Sequence, residues 1–348
     1  MTLDNAILQA FVKLGKFLVD FCDNNNQTTS VWEKQLNETI TQAGYQNGWF
    51  TEDNVLFALK QWGKLLTQDK LVHWLSAYQP NSKQQQKTIA IIMAGNIPLV
   101  GFHDFVCVLL SGHKVLAKLS SNDKVLLPFI ADYLIDSEKS FKNNISFTKE
   151  QLQGFDAVIA TGSNNTGRYF EYYFGKYPNI IRKNRNSIAV LSGNESKEEL
   201  KPLGEDIFRY FGLGCRSVSK LFVPKGYDFA HFFESIFEYD TVINTSKYAN
   251  NYDYNKAVYL MSNFKLYDNN FILLKEDDGY GSPIGTLYYE YYANTEELQE
   301  RLKANKELLQ CIVSNTSIKN SIPFGNTQKP SLKDYADGID TMQFLLDL

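Results

Sequence analysis

The spacing of apolar positions changes once, sharply, along the chain. Up to residue 80 it is helical: Leu3, Ile7, Leu8, Phe11, Leu14, Leu18 and Phe21 recur at helical spacing, as along one helix face. A second helical pattern lies near 30–43, and a third spans about 53–77 from Thr51-Glu52-Asp53. Residues 1–80 therefore read as a helical segment. The polar run Asn81-Ser82-Lys83-Gln84-Gln85-Gln86-Lys87 reads as a connector.

At Thr88 the pattern becomes one of short, continuous apolar runs alternating with helical stretches. Thr88-Ile89-Ala90-Ile91-Ile92-Met93 looks like a strand covered on both faces, as in a parallel sheet. A helix over 100–111 and a strand at 114–119 follow. Ser120-Ser121-Asn122-Asp123 then offers N-cap chemistry for a helix over 123–136. Strands are expected near 145–147 and at 155–160, the latter leading through Thr161-Gly162-Ser163 into a helix to about 175. From Ser187 a second α/β stretch begins, with strands at 187–191, 219–223, 271–275, 285–292 and 310–313. Ser196 with Glu199 forms a capping-box pattern opening a helix to about Phe211, and Asn294 with Glu297 opens another. This alternation predicts two doubly wound α/β domains behind a helical N-terminal segment, with ligand-bearing loops at the carboxyl ends of the strands. The expected domains are 88–186, onto which a tail at 321–348 folds back, and 187–320.

Charge and composition narrow the class. The net charge of −4 provides no basic field for nucleic acid, and no apolar run reaches the roughly 18 residues of a membrane span. The first helix carries Asp4 and Asp20 and lacks a cationic start with a small-residue cleavage site, so a secretory signal is not expected. The four cysteines, Cys22, Cys107, Cys215 and Cys311, are far apart, with neither a CxxC pair nor metal-ligand spacing to the four histidines. A reduced, cytoplasmic protein without a metal site is the expectation. The tyrosine-rich run 287–292 reads as strand packing, and His103, His113 and His231 as structural or surface histidines rather than catalysts.

Three loops and one cysteine carry candidate chemistry. Phe211-Gly212-Leu213-Gly214-Cys215-Arg216-Ser217 places a thiol in a glycine-flanked loop just before a strand. It is either a covalent nucleophile or a small buried hydrophobe. Thr161-Gly162-Ser163, with Gly167 four residues on, can set a helix N-terminus against phosphate or be a plain strand-to-helix turn. Gly95-Asn96-x-Pro98 offers a polar amide or an Asx-type turn. Lys118 ends its strand facing either a ribose or phosphate, or solvent.

The order and spacing of these features resemble the aldehyde dehydrogenase superfamily. Within it, the chain is similar to the LuxC-type acyl-CoA reductases. Ser111-Gly112-His113-Lys114-Val115-Leu116-Ala117-Lys118-Leu119-Ser120 and the tail Pro323-Phe324-Gly325-Asn326-Thr327-Gln328, with 334–341, carry the likeness, which covers about 88–348. The resemblance implies an aldehyde dehydrogenase-like fold and a fatty acyl-CoA reductase. Cys215 would be its acyl-accepting thiol. Asn96, with the Cys215 backbone N–H, would form the oxyanion hole. Thr161, Gly162, Ser163 and Gly167 would hold the cofactor pyrophosphate, and Lys118, Ser120 and Ser121 would lie at the ribose.

Two departures from the superfamily pattern sharpen this. Where oxidising members carry a ribose-binding glutamate, this chain has Ser121, which with Lys118 predicts NADPH over NADH. Where they carry a hydrolytic glutamate base, Ile181-Arg182-Lys183-Asn184-Arg185-Asn186-Ser187 contains no carboxylate. That favours reduction of an acyl-enzyme over its hydrolysis. The family's second-domain cofactor glutamate has no recognisable counterpart in Glu276–Gly285. An acyl-protein synthetase partner delivering the acyl group, a homo-oligomer, and a non-catalytic nucleotide-binding subunit are the other readings left open.

Overall fold

The computed structural model describes residues 5–24, 29–79 and 85–348. Leu3 and residues 81–84 of the expected connector lie outside the described residues. The chain forms two compact units, residues 1–183 with 331–348, and residues 184–330.

Unit 1 opens with four helices: α1 (Asn5–Asp23), α2 (Val31–Gln46), α3 (Glu52–Leu65) and α4 (Gln68–Leu75). The α1 stripe buries Leu8, Phe11, Leu14, Leu18 and Phe21. Ser30 and Glu33 close a full capping box on α2, and Thr51 caps α3. The single helix expected over 53–77 is in fact two. The chain leaves helical geometry at Leu66, whose carbonyl would lie 2.4 Å from a Cβ at Gly15, so the break is packed tightly onto α1.

A five-stranded, all-parallel sheet follows, with β1 (Thr88–Ile92), α5 (Phe102–Leu110), β2 (Lys114–Lys118), α6 (Leu126–Ser137), β3 (Ile145–Thr148), β4 (Ala157–Thr161), α7 (Asn164–Phe174) and β5 (Asn179–Arg182). Its order is β3-β2-β1-β4-β5. The chain thus reverses direction across the sheet between β1 and β4, which pair directly, Ile92 opposite Ala160. That reversal is where open α/β sheets leave a crevice for ligands.

Two expectations change here. The polar run 120–123 does not cap α6, which starts at Leu126 without a side-chain cap. Ser120 Oγ instead accepts from Asn122 N at 3.2 Å and Asp123 Oδ2 from Leu99 N at 3.1 Å, so these groups stabilise the loops. The edge strand β5 was not expected, because Asn179-Ile180-Ile181-Arg182 is short and ends on a charge.

Unit 2 contains β6 (Asn186–Val190), α8 (Lys197–Leu200), α9 (Leu203–Phe208), β7 (Val218–Pro224), α10 (Phe229–Ser235), α11 (Ser246–Met261), β8 (Leu266–Asp268), β9 (Leu273–Glu276), β10 (Thr286–Tyr292), α12 (Thr295–Ala304) and β11 (Leu309–Val313). The sheet order is β11-β6-β7-β10-β9-β8, parallel except for the β8–β9 pair at its edge. The Ser196–Glu199 capping box is present, but its helix does not run to Phe211. Pro202, which has no N–H to continue the helix, separates α8 from α9. Strand β9 starts at Leu273 because Asn269 Oδ1 accepts from the Phe271 and Ile272 N–H groups.

The last helix, α13 (Thr341–Leu346), belongs to unit 1. It is tied in by a buried cluster: Arg182 donates to both Asp104 oxygens at 2.5 and 2.9 Å, and to Thr341 Oγ1 at 2.8 Å. Among the described residues no helix is long and apolar enough to cross a membrane, and no cluster of three or more His, Cys, Asp or Glu could hold a metal ion.

Candidate active site

In unit 1, three loops leave the carboxyl ends of neighbouring strands. β1 leads into the Gly95-Asn96-Ile97-Pro98 loop, β2 ends on Lys118 before Ser120 and Ser121, and β4 ends on Thr161 before Gly162 and Ser163. The register sets Ile92 against Lys118 on one side and against Ala160 on the other, so all three loops share one sheet edge. Gly95 packs so closely on the β2 loop that a Cβ there would lie 2.5 Å from Ser120 Oγ. Asn96 is exposed at the bend.

Beneath the Asn96 loop lies a carboxyl group, that of Asp123, which the sequence offers only as N-cap chemistry for the next helix. Asp123 accepts from Leu99 N, and Leu99 has a positive φ of 57°, which is strained for a leucine. Asp123 Oδ1 is buried with no hydrogen-bond partner. It shares a cavity with Met93, Leu99, Phe102, Leu119 and Leu127. Burial in this apolar setting pushes the Asp123 carboxyl up to about 6.

The β4–α7 connection has the chemistry of an anion site. Ser163 is the N-cap of α7, its Oγ accepting from Thr166 N at 3.2 Å and lying 2.9 Å from Thr166 Oγ1. A Cβ at Gly162 would approach Thr166 to 2.9 Å, so this turn needs glycine. Gly167 is buried one turn into the helix, where a Cβ would meet the Lys183 stem at 3.2 Å. Lys118 Nζ donates to the Glu150 carbonyl at 3.1 Å, which holds the ammonium at the same edge. Backbone N–H groups of a helix start, hydroxyls and one ammonium suit a dinucleotide's phosphates and ribose.

In unit 2, Cys215 lies three residues before β7. It is the exposed thiol: Cys107 and Cys311 are buried and Cys22 is half-buried. Burial pushes the Cys22 thiol up to about 11 and Cys107 well above its ordinary value. Cys215 occupies a turn closed by Ser217 N donating to Gly214 O at 2.9 Å. The turn was expected to depend on its glycines, but only Gly212 has positive φ, and it follows Tyr210 and Phe211 at 56° and 58°. Both aromatic residues are buried, and Phe211 packs on Tyr248, so core packing holds this strained approach.

The turn is held from outside as well. Ser187 Oγ on β6 donates to the Cys215 carbonyl at 2.9 Å. Arg216 Nε donates to the Thr327 carbonyl at 2.6 Å, and Gln328 Nε2 to Ser217 Oγ at 3.3 Å. Two distant segments, β6 and residues 327–328, thus hold the turn that bears the thiol. Only Pro323–Gln328 had been singled out in the sequence, and for its likeness to a family motif rather than for this contact.

The three histidines singled out in the sequence each bond a backbone carbonyl. His113 Nδ1 accepts from Lys87 N at 3.1 Å, which leaves Nε2–H to donate to the Leu345 carbonyl at 2.9 Å. His103 bonds the Leu332 carbonyl and His231 the Glu195 carbonyl.

A family model described as acyl-CoA reductase (LuxC) matches residues 49–236. None of the curated proteins matches the chain. Among solved structures, an indole-3-acetaldehyde dehydrogenase bound to NAD+ superposes with a TM-score of 0.60 at 11% identity, covering 88% of this chain and 77% of that one. Aldehyde dehydrogenase C of Pseudomonas syringae, a cysteine-to-alanine mutant with NAD+ and octanal, gives 0.60 at 12% identity, covering 92% and 82%. Aldehyde dehydrogenase KauB of Pseudomonas aeruginosa gives 0.59 at 11%, covering 88% and 77%. The fold is that of the aldehyde dehydrogenases.

Proposed function

The chain belongs to the LuxC acyl-CoA reductase family, and from that premise we propose that it reduces a fatty acyl-CoA to the fatty aldehyde with NADPH, through an acyl-cysteine on Cys215. The observation that carries this reading is the exposure of Cys215 on a turn held by Ser187, Arg216 and Gln328, while the other three thiols are withdrawn from solvent.

The Cys215 thiolate attacks the thioester carbonyl, and the C–S bond to CoA breaks as the new C–S bond forms; CoA leaves as its thiol with one proton. Asn96 is assigned as an oxyanion donor. Its amide stabilises developing negative charge without titrating, a role typically worth about 3–4 kcal/mol. Thr161, Gly162, Ser163 and Gly167 would hold the cofactor's pyrophosphate, with Lys118, Ser120 and Ser121 at its ribose. Bound there, a reduced nicotinamide dinucleotide supplies the hydride that takes the acyl group to the aldehyde level. Cys215 is then the leaving group that releases the aldehyde and regains its proton. The absence of a carboxylate from 181–187 supports reduction over hydrolysis, since an acyl-enzyme needs an activated water to leave as an acid.

Incubation with a long-chain acyl-CoA should add one acyl mass to the wild type and none to Cys215→Ala, and NADPH should be oxidised only by the wild type. Absence of both adduct and NADPH oxidation would reject the proposal and leave a nucleotide-binding subunit as the better reading. Supplying the acyl group from a partner acyl-protein synthetase instead of free acyl-CoA distinguishes the two donors.

A further inference from the structure

Asp206 on α9 is fully buried. Its Oδ2 accepts from Gly325 N at 2.6 Å, and its Oδ1 from Thr327 N at 2.9 Å and Thr327 Oγ1 at 2.8 Å. Burying a carboxylate is costly unless it is well hydrogen-bonded, and here three donors from a segment about 120 residues away converge on it. The segment is fitted to this place. Gly325 has φ +79°, and a Cβ there would lie 2.8 Å from that of Pro202, at the α8–α9 junction.

What the clamp presents on its other side is the cysteine turn. The residue whose N–H and hydroxyl bind Asp206 is the one whose carbonyl accepts from Arg216, and the next residue, Gln328, donates to Ser217. The two residues after Cys215 are thus gripped by a segment that Asp206 fixes. We propose that Asp206 is a positioning residue for Cys215, acting through Gly325–Gln328 and Arg216. The inference rests on reading Cys215 as the reacting thiol. In that setting the clamp sets the direction of the thiol rather than its chemistry, and its loss slows turnover without weakening substrate binding.

The test compares Asp206→Asn, Thr327→Val, Thr327→Ser and Arg216→Ala with the wild type. The readouts are amide hydrogen exchange of the 213–218 peptide, kcat and KM for acyl-CoA reduction, and thermal melting. Asp206→Asn, Thr327→Val and Arg216→Ala are expected to speed exchange of that peptide and to lower kcat at least tenfold, with KM within threefold. Thr327→Ser, which keeps the hydroxyl, should stay within twofold of wild type. If Asp206→Asn fails to fold, Thr327→Val and Arg216→Ala decide. Unchanged exchange in both, or faster exchange with unchanged kcat, overturns the proposal. If the wild type reduces no acyl-CoA, the proposed function fails, while the exchange pattern alone still upholds or overturns the clamp.

Discussion

Ser187 Oγ donates a 2.9 Å hydrogen bond to the carbonyl of Cys215, so the first buried residue of β6 holds the backbone of the candidate nucleophile on β7's approach. Ser187 is itself fully buried. Its loss would leave the Cys215 carbonyl one partner short rather than open a site to solvent. Ser187→Ala should cost about 1 kcal/mol of stability and about a tenfold fall in kcat. Denaturant titration beside steady-state kinetics checks this; a kcat within twofold of wild type would show that this bond does not govern the thiol.

The buried Arg182–Asp104 pair makes a stability prediction independent of any activity. Both side chains are under a tenth exposed, and Arg182 Nε has no hydrogen-bond partner. Removing one member leaves an uncompensated charge in the core. Asp104→Ala should therefore destabilise unit 1 by about 3–5 kcal/mol, and adding Arg182→Leu should recover part of that loss. Thr341→Val, which deletes the bond from Arg182 to α13, should cost about 1 kcal/mol. Urea unfolding of Asp104→Ala, Arg182→Leu, the double variant and Thr341→Val reads all of this; additive costs for Asp104→Ala and Arg182→Leu would contradict it.

Cofactor preference is testable at Ser121 and Lys118. Ser121 is exposed beside the β2 end, with no carboxylate at its position to repel a 2′-phosphate. Lys118 keeps a cation at the same edge. Ser121→Glu should raise KM for NADPH at least tenfold and leave NADH nearly unaffected, and Lys118→Ala should weaken NADPH more than NADH, the charge interaction being worth about 1–2 kcal/mol at a partly exposed site. Steady-state kinetics with both cofactors decides. A wild type that uses NADH at least as efficiently as NADPH would reject the preference itself.

The parallel strands of this protein are easy to read because each is a nearly unbroken apolar run. The expected 88–93, 114–119 and 155–160 match β1, β2 and β4 to within two residues at either end. The two caps assigned at Ser196 and Asn294 form because an N-cap bond reaches only three residues along the chain: Ser196 and Glu199 close a full capping box, and Asn294 accepts from Glu297 N. Helix α11 was missed for a chemical reason. Its buried stripe is Tyr248, Tyr252, Asn255 and Tyr259, whose spacing is helical but whose polar atoms hide it from a hydropathy pattern. At the candidate site, the loop residues were visible as motifs, but their supports were not. Asp206 reaches Thr327 across 121 positions and Arg182 reaches Thr341 across 159, distances over which a single sequence carries no pairing signal. The polar run 120–123 shows a local rule overridden: its side chains satisfy loop backbone, and α6 starts beyond them.

The carboxyl of Asp123 ties the Asn96 loop to the pH of the medium. It holds the N–H of Leu99, the residue directly after Pro98 and one in strained backbone, yet its second oxygen is buried without a partner among apolar side chains. Burial pushes it from an ordinary value near 3.8 up to about 6. A carboxyl whose folded value lies above its unfolded value contributes its stability below the unfolded value and loses it as pH rises through the folded one. This group thus favours the fold at pH 4 and disfavours it at pH 8, by about 3 kcal/mol for a displacement of some two pH units. Asp123→Asn keeps an acceptor for Leu99 N and cannot ionise. Its stability relative to wild type should therefore climb by about that amount between pH 4 and pH 8, with most of the change between pH 4 and 6.5. Denaturant unfolding of both proteins across that range measures it. A gap between variant and wild type that is the same at pH 4 and pH 8 would mean that Asp123 does not titrate in this window, and that the loop bearing Asn96 is held the same way throughout.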